Sequence, residues 1–145
     1  MRRLALFLLT LSLALPAAAE RLQRFGDLEV HYNVFNSSFL QPNVATAAGL
    51  TRSKTQGVVN VVVMRAGKSV PNAVVTGTVK NLIGQSKALK FQRVAEGEGA
   101  ADQQAVYHLA QFGMTEREVL TFDIQVQEGG KSHSLNFNQE VFPDE

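Results

Sequence analysis

Leu120, Phe122, Ile124 and Val126 alternate with Thr121, Asp123, Gln125 and Gln127. A period of two turns one set toward a core and the other toward water, the signature of a half-buried β-strand. The same reading runs along most of the chain. Leu28, Val30, Tyr32 and Val34 against Asp27, Glu29, His31 and Asn33 predict a first strand over 28–34, bending or ending at Phe35. Gly57 to Arg65 is valine-rich on both faces, as in a strand covered on both sides. Within it, Asn60 is expected to be a satisfied buried amide or a change of face.

A third strand spans Ala73 to Lys80, where Gly77 shares the Val75/Val79 face and marks a close backbone approach or a bulge. Asn81 to Gln85 reads as a turn, and a fourth strand covers Ala88 to Val94. Ala95 to Gln104 is small, acidic and apolar-poor, the composition of a mobile loop. A fifth strand covers Ala105 to Phe112, with Tyr107 and Leu109 expected inward. After the sixth strand at Leu120 to Gln127, Gly129-Gly130 makes a hairpin into a seventh, Ser132 to Phe142.

Between the first two strands lies a polar insert. Asn36-Ser37-Ser38 is a turn cluster, and its match to a glycosylation acceptor is read as turn chemistry. Pro42 suits a first helical turn, Val44 to Ala48 one or two turns of helix, and Gly49 a left-handed stop. Phe39, Leu40, Val44 and Leu50 would pin it to the body. Seven strands with short turns and one short helix predict an all-β fold, an immunoglobulin-like antiparallel β-sandwich. The Cys and Trp of antibody-type domains are absent from the sequence.

The N-terminus adds an address. Arg2-Arg3, the apolar run Leu4 to Leu15 and Ala17-Ala18-Ala19 have the three-part form of a secretory leader. The run falls short of the roughly 20 residues a spanning helix needs. Cleavage is expected after Ala19, leaving 20–145 as one periplasmic domain with no membrane span. Without Arg2 and Arg3, the 14 cations become 12 against 13 acids, near neutrality. The charges are scattered, which argues against a nucleic-acid groove or a polybasic lipid-binding face. With no cysteine, the exported fold rests on packing and not on disulfides.

FGDLEVHYNVFNSSFLQPNVA followed by GLTRSKTQGVVNVVV, with the later NLIGQ and TFDIQV, resembles a family of small exported bacterial proteins, a domain of unknown function (family four-four-two-six). The resemblance implies a periplasmic immunoglobulin-like protein and no assigned reaction. More loosely, SVPNAVVTGTV, YHLAQF and LTFDIQVQ are similar to periplasmic β-sandwich domains, some of which accompany metal handling.

Candidate chemistry is sparse. His31, His108, His133, Met64 and Met114 could interest copper, but no two histidines stand at a ligand spacing. No serine occupies a nucleophile elbow, so the chain is read as non-enzymatic, with no cofactor and no metal site. The most informative polar set is the rim of the insert: His31, Asn33, Asn36, Arg52 and Lys54. Convergence there would let Arg52 fork onto a carboxylate that the amides and imidazole orient, or would merely hold the insert in shape. The reading is a non-catalytic periplasmic module for an envelope protein partner, or alternatively for a small ligand or copper-type metal. Oligomeric state is left open.

Overall fold

The computed structural model describes residues 21–100 and 103–144. The expected leader and its cleavage after Ala19 lie outside the described residues. Among these, ten strands form: β1 (Leu22–Phe25), β2 (Leu28–Asn36), β3 (Gln56–Arg65), β4 (Lys68–Ser69), β5 (Val74–Lys80), β6 (Ser86–Leu89), β7 (Gln92–Glu96), β8 (Ala105–Gly113), β9 (Glu118–Glu128) and β10 (Lys131–Val141). One sheet has the order β1-β2-β3-β8-β7, with β4 beside β3, and the other has the order β10-β9-β5-β6. All pairings are antiparallel. Lettered along the chain from β2, with β4 set aside, these are the A-B-E-D and G-F-C sheets of the immunoglobulin arrangement, with β6 added beside C.

The expected sandwich is therefore present, with three strands more than the seven read from the pattern. β1 and β4 are short edge additions. The predicted fourth strand is two strands: β6 pairs with β5, and the chain then crosses at Lys90-Phe91 so that β7 pairs with β8 in the other sheet. A period-2 pattern cannot reveal such a crossing, because each half keeps its own alternation. β7 also runs through Glu96, two residues into the stretch expected to be loop.

The inter-sheet core holds Val30, Val59, Val61 and Val63 against Leu120, Phe122, Ile124, Val126 and Leu135. An aromatic chain crosses it: Tyr32 to Phe137 at 4.5 Å between ring centroids, Phe137 to Phe122 at 5.0 Å, and Phe122 to Phe112 at 5.2 Å. Arg21 lies over both Tyr32 and Phe137. At one end the sheets are clamped by Arg65, which makes two parallel hydrogen bonds to Glu128 at 2.9 and 2.8 Å and meets Asp27 at 3.1 Å. These carboxylates hold the Arg65 guanidinium more firmly charged, and Arg65 holds Glu128 below the usual carboxylate range.

A second, smaller core lies on the outer face of the first sheet. There Leu40, Ala45 and Ala48 of the insert cover Val58, Leu109 and Val94, with Phe35 and Tyr107 alongside. Phe35 breaks the alternation because it is covered by the insert, and the strand continues to Asn36. Tyr107 and Leu109 do not face the inter-sheet core as expected. Register places them with Val94 and Asn60 on the outer face, and Ala110 opposite Val59 on the inner one. β3 is covered on both sides, as its valines implied.

Candidate functional site

The insert folds by local rules. Asn36 leads into a tight 3-10 turn at Ser37–Phe39. Ser37, fully buried, accepts a hydrogen bond from the Ser53 N–H at 2.8 Å and donates to the Ser53 carbonyl at 3.0 Å, tying the two arms of the insert together. Helix α1 (Pro42–Ala48) starts on Pro42 and ends on Gly49, whose φ of 68° is left-handed. The Gly49 N–H reaches the Thr46 carbonyl and the Leu50 N–H the Ala45 carbonyl at 2.8 Å, the paired bonds that close a helix on glycine.

Three of the five rim residues meet here, around a carboxylate the chain itself supplies. Asp144 lies just past β10. Its Oδ1 accepts from Asn36 Nδ2 at 2.6 Å, its Oδ2 accepts from the Ser38 hydroxyl, and its N–H donates to the Lys54 carbonyl at 2.9 Å. Asn36 Nδ2 also donates to the Phe142 carbonyl at 2.8 Å. Hydrogen bonds from Ser38 and Asn36, and then the charge of Lys54, hold the Asp144 carboxyl below its ordinary range. Arg52 takes no carboxylate; it donates to the Ser38 carbonyl at 3.0 Å and braces the turn.

His31 and Asn33 do not join them. His31 stands five positions along β2 from Asn36, about 16 Å at the rise of a strand, and its Nε2 lies 3.4 Å from Glu29. Asn33 is exposed and pairs across the sheet with Asn60. His31 and Asn33 thus stand apart from the other three, because each lies an odd number of residues from Asn36 and strand alternation turns them to the opposite face of β2.

Asn60 is neither of the alternatives its setting suggests. It belongs to the outer face, and its Oδ1 is buried with no hydrogen-bond partner. It lines a groove of about 260 Å³ between the insert and the sheet, with Leu40 and Val44 on one side and Glu96 and Tyr107 on the other. The signal for it in the sequence is the one amide among the valines of β3. Asp144 carries no comparable signal, since only the tertiary path of the tail brings it to the insert.

The residues considered for copper do not gather at one place: His108 pairs with Arg93 across β7 and β8, and His31 lies beside Glu29. Met114 and His108 are buried, and His133 stacks on Phe25 at 4.7 Å. Among the described residues, no three His, Asp or Glu side chains form a group that could hold a metal ion.

Fold and site together define a class: an immunoglobulin-like β-sandwich whose outer face carries a small helical insert, latched by the side-chain carboxylate of Asp144. The family described as "Domain of unknown function (DUF4426)" matches residues 22–144, and the chain belongs to it. A crystal structure of a DUF4426 family protein from Pseudomonas aeruginosa PAO1 is similar at 56% identity and a TM-score of 0.78, covering 90% of this chain and 100% of that one. The GAE domains of yeast GGA1 and of Saccharomyces cerevisiae GGA2p align at 10% identity with TM-scores of 0.41 and 0.38. Each alignment covers 85% of this chain, and 99% and 97% of theirs, and neither carries an argument about this one. No protein of curated function matches the chain.

Proposed function

We propose that the chain is a non-catalytic binding module, exported to the periplasm by its leader, that engages an envelope protein partner through the rim of its insert. One observation carries the reading. Phe39, expected to pin the insert to the body, is instead 75% exposed, and Phe142 is 49% exposed; each is next in sequence to a residue of the Asp144 latch or bonded to it through its backbone. Exposed aromatic rings on a braced frame, with Arg117 over the Phe142 ring at 4.9 Å, are the groups that protein interfaces use as anchors. Asn36 and Ser38 are engaged with Asp144, and Arg52 with the Ser38 carbonyl, which suits holding a surface in shape and not transforming a substrate.

The test is a photo-crosslinking residue at Gln41 in living cells. A defined adduct should form, disappear in Phe39→Ser/Phe142→Ser, and persist in Ser134→Ala on the other sheet. No adduct, or one indifferent to both rings, overturns the reading.

A second reading, small-ligand binding, is favoured by the unpartnered Asn60 oxygen at the groove. Ligand-observed NMR with a panel of small amides would show signals from the wild type that Asn60→Val abolishes. Signals common to both proteins, or none, count against it.

A further inference from the structure

Near-neutral overall charge conceals one segment of uniform sign. From Lys80 to Arg93 the chain carries Lys80, Lys87, Lys90 and Arg93 and no acid. All four are exposed, and none forms an ion pair among the described residues. The same segment contains the turn Asn81–Gln85 that joins β5 to β6. At its tip Leu82 is 79% exposed and Ile83 80% exposed.

The turn is fixed without those two side chains. The Asn81 N–H donates to the Gln85 carbonyl at 3.0 Å and the Gly84 N–H to the Asn81 carbonyl at 3.1 Å. The Gln85 N–H meets Asn81 Oδ1 at 2.9 Å, and Asn81 Nδ2 meets Gln85 Oε1 at 2.9 Å. Polar residues would serve the turn equally well, so its geometry does not account for two adjacent aliphatic side chains held in water. Register adds a second feature. Lys80 opposes Ser86, and Lys87 opposes Val79, so the two lysines flank the base of the turn on opposite faces of the sheet. Lysine on an edge strand also blocks unwanted strand pairing, which explains Lys87 on β6 but neither Leu82 nor Ile83.

We propose that this hairpin is a docking tip for an anionic lipid bilayer. Leu82 and Ile83 enter the interfacial zone, while Lys80 and Lys87 at the base of the turn face the lipid phosphates; Lys90 and Arg93, at and beyond the crossing to the other sheet, add only to the positive charge behind them. Apolar residues projecting from a cationic base are what an interfacial anchor requires. A protein pocket is the poorer fit, because two side chains on a narrow turn offer far less than the roughly 800 Å² per partner of a standard interface. A bilayer demands no shape match. The hairpin lies at the same end of the sandwich as the insert: Lys80 pairs with Thr121 and Val141 with Glu118, near the start of β9. A molecule held by this tip would therefore keep the rim of the insert close to the membrane surface.

Vesicle co-flotation tests the idea, using phosphatidylcholine alone and phosphatidylcholine mixed with phosphatidylglycerol. The protein is expressed from the full chain and purified as the cell processes it, and every variant is compared in that background so that the leader cancels. Partition should be on the order of tenfold stronger on the anionic vesicles and should weaken with added salt. Leu82→Ser/Ile83→Ser should abolish it, and Lys80→Gln/Lys87→Gln should remove the preference for anionic lipid, with thermal unfolding unchanged in both. No flotation of the wild type, or flotation that the double serine variant retains, overturns the proposal. So does a hairpin-dependent self-association seen by sedimentation with no binding to vesicles, since the tip would then serve a second copy of the chain.

Discussion

Asn36 Nδ2 donates to Asp144 Oδ1 across 2.6 Å, joining the end of β2 to a residue 108 positions later. The same carboxylate accepts from Ser38 and its backbone donates to Lys54, so one tail residue fastens both arms of the insert. Asp144→Ala should therefore raise hydrogen exchange over residues 37–55 while leaving β9 and β10 protected. Because the fold lowers the carboxyl's pKa, the latch is present above the ordinary carboxylate value of 3.8 and lost as pH falls further, through the folded-state value. Equal exchange in the variant and the wild type would show that packing alone holds the insert.

Arg52 acts at one remove, through the Ser38 carbonyl. Arg52→Ala should loosen the insert before any other region, with a smaller effect than the Asp144 variant because Ser37 still ties the two arms. Uniform protection across the mutant would refute this ordering.

His108 is buried in the inter-sheet layer with its Nε2 unpartnered. Burial, and then the charge of Arg93 across the strand pair, push its pKa down to about 4. The unfolded chain takes up this proton near 6.5 and the folded chain resists it. Stability is thus full above pH 6.5 and falls as pH drops toward 4, by about 3 kcal/mol at pH 4 from this group alone. Urea unfolding of wild type and His108→Gln at pH 7 and pH 4.5 should show the variant losing less on acidification. Parallel losses would assign the acid sensitivity to carboxylates such as Glu128.

Gly77 supplies the close approach its place in the sequence implied. A Cβ there would stand 2.7 Å from the Asp123 carbonyl oxygen and 3.2 Å from Ile124 Cα, both backbone atoms of β9. Gly77→Ala should cost about 1–3 kcal/mol, the range for overpacking a core. The urea midpoint would fall at unchanged m-value, and an unchanged midpoint would mean that the sheet gives way freely.

Phe122 is fully buried between Phe112 and Phe137. Phe122→Ala should cost about 3–5 kcal/mol, the range for emptying an aromatic core position, as read from chemical denaturation. A loss below 1 kcal/mol would mean that the core collapses around the gap.

What the sequence determined by itself is whatever depends on near neighbours along the chain. Alternation settled which of Leu120 to Gln127 face the core, Pro42 and Gly49 bounded the helix, and Gly77 marked a crowded backbone. Valines on both faces announced that β3 is covered twice. What only the tertiary structure decided depends on residues far apart. The crossing at Lys90 between the two sheets leaves both halves alternating, so periodicity cannot show it. Tyr107 and Leu109 look like residues of the main core until the insert is seen to build a second one over them. The rim divided because His31 and Asn33, five and three positions before Asn36, are turned to the opposite face of β2. It acquired its carboxylate because the tail folds back onto the insert, a long-range contact with no local signature at Asp144.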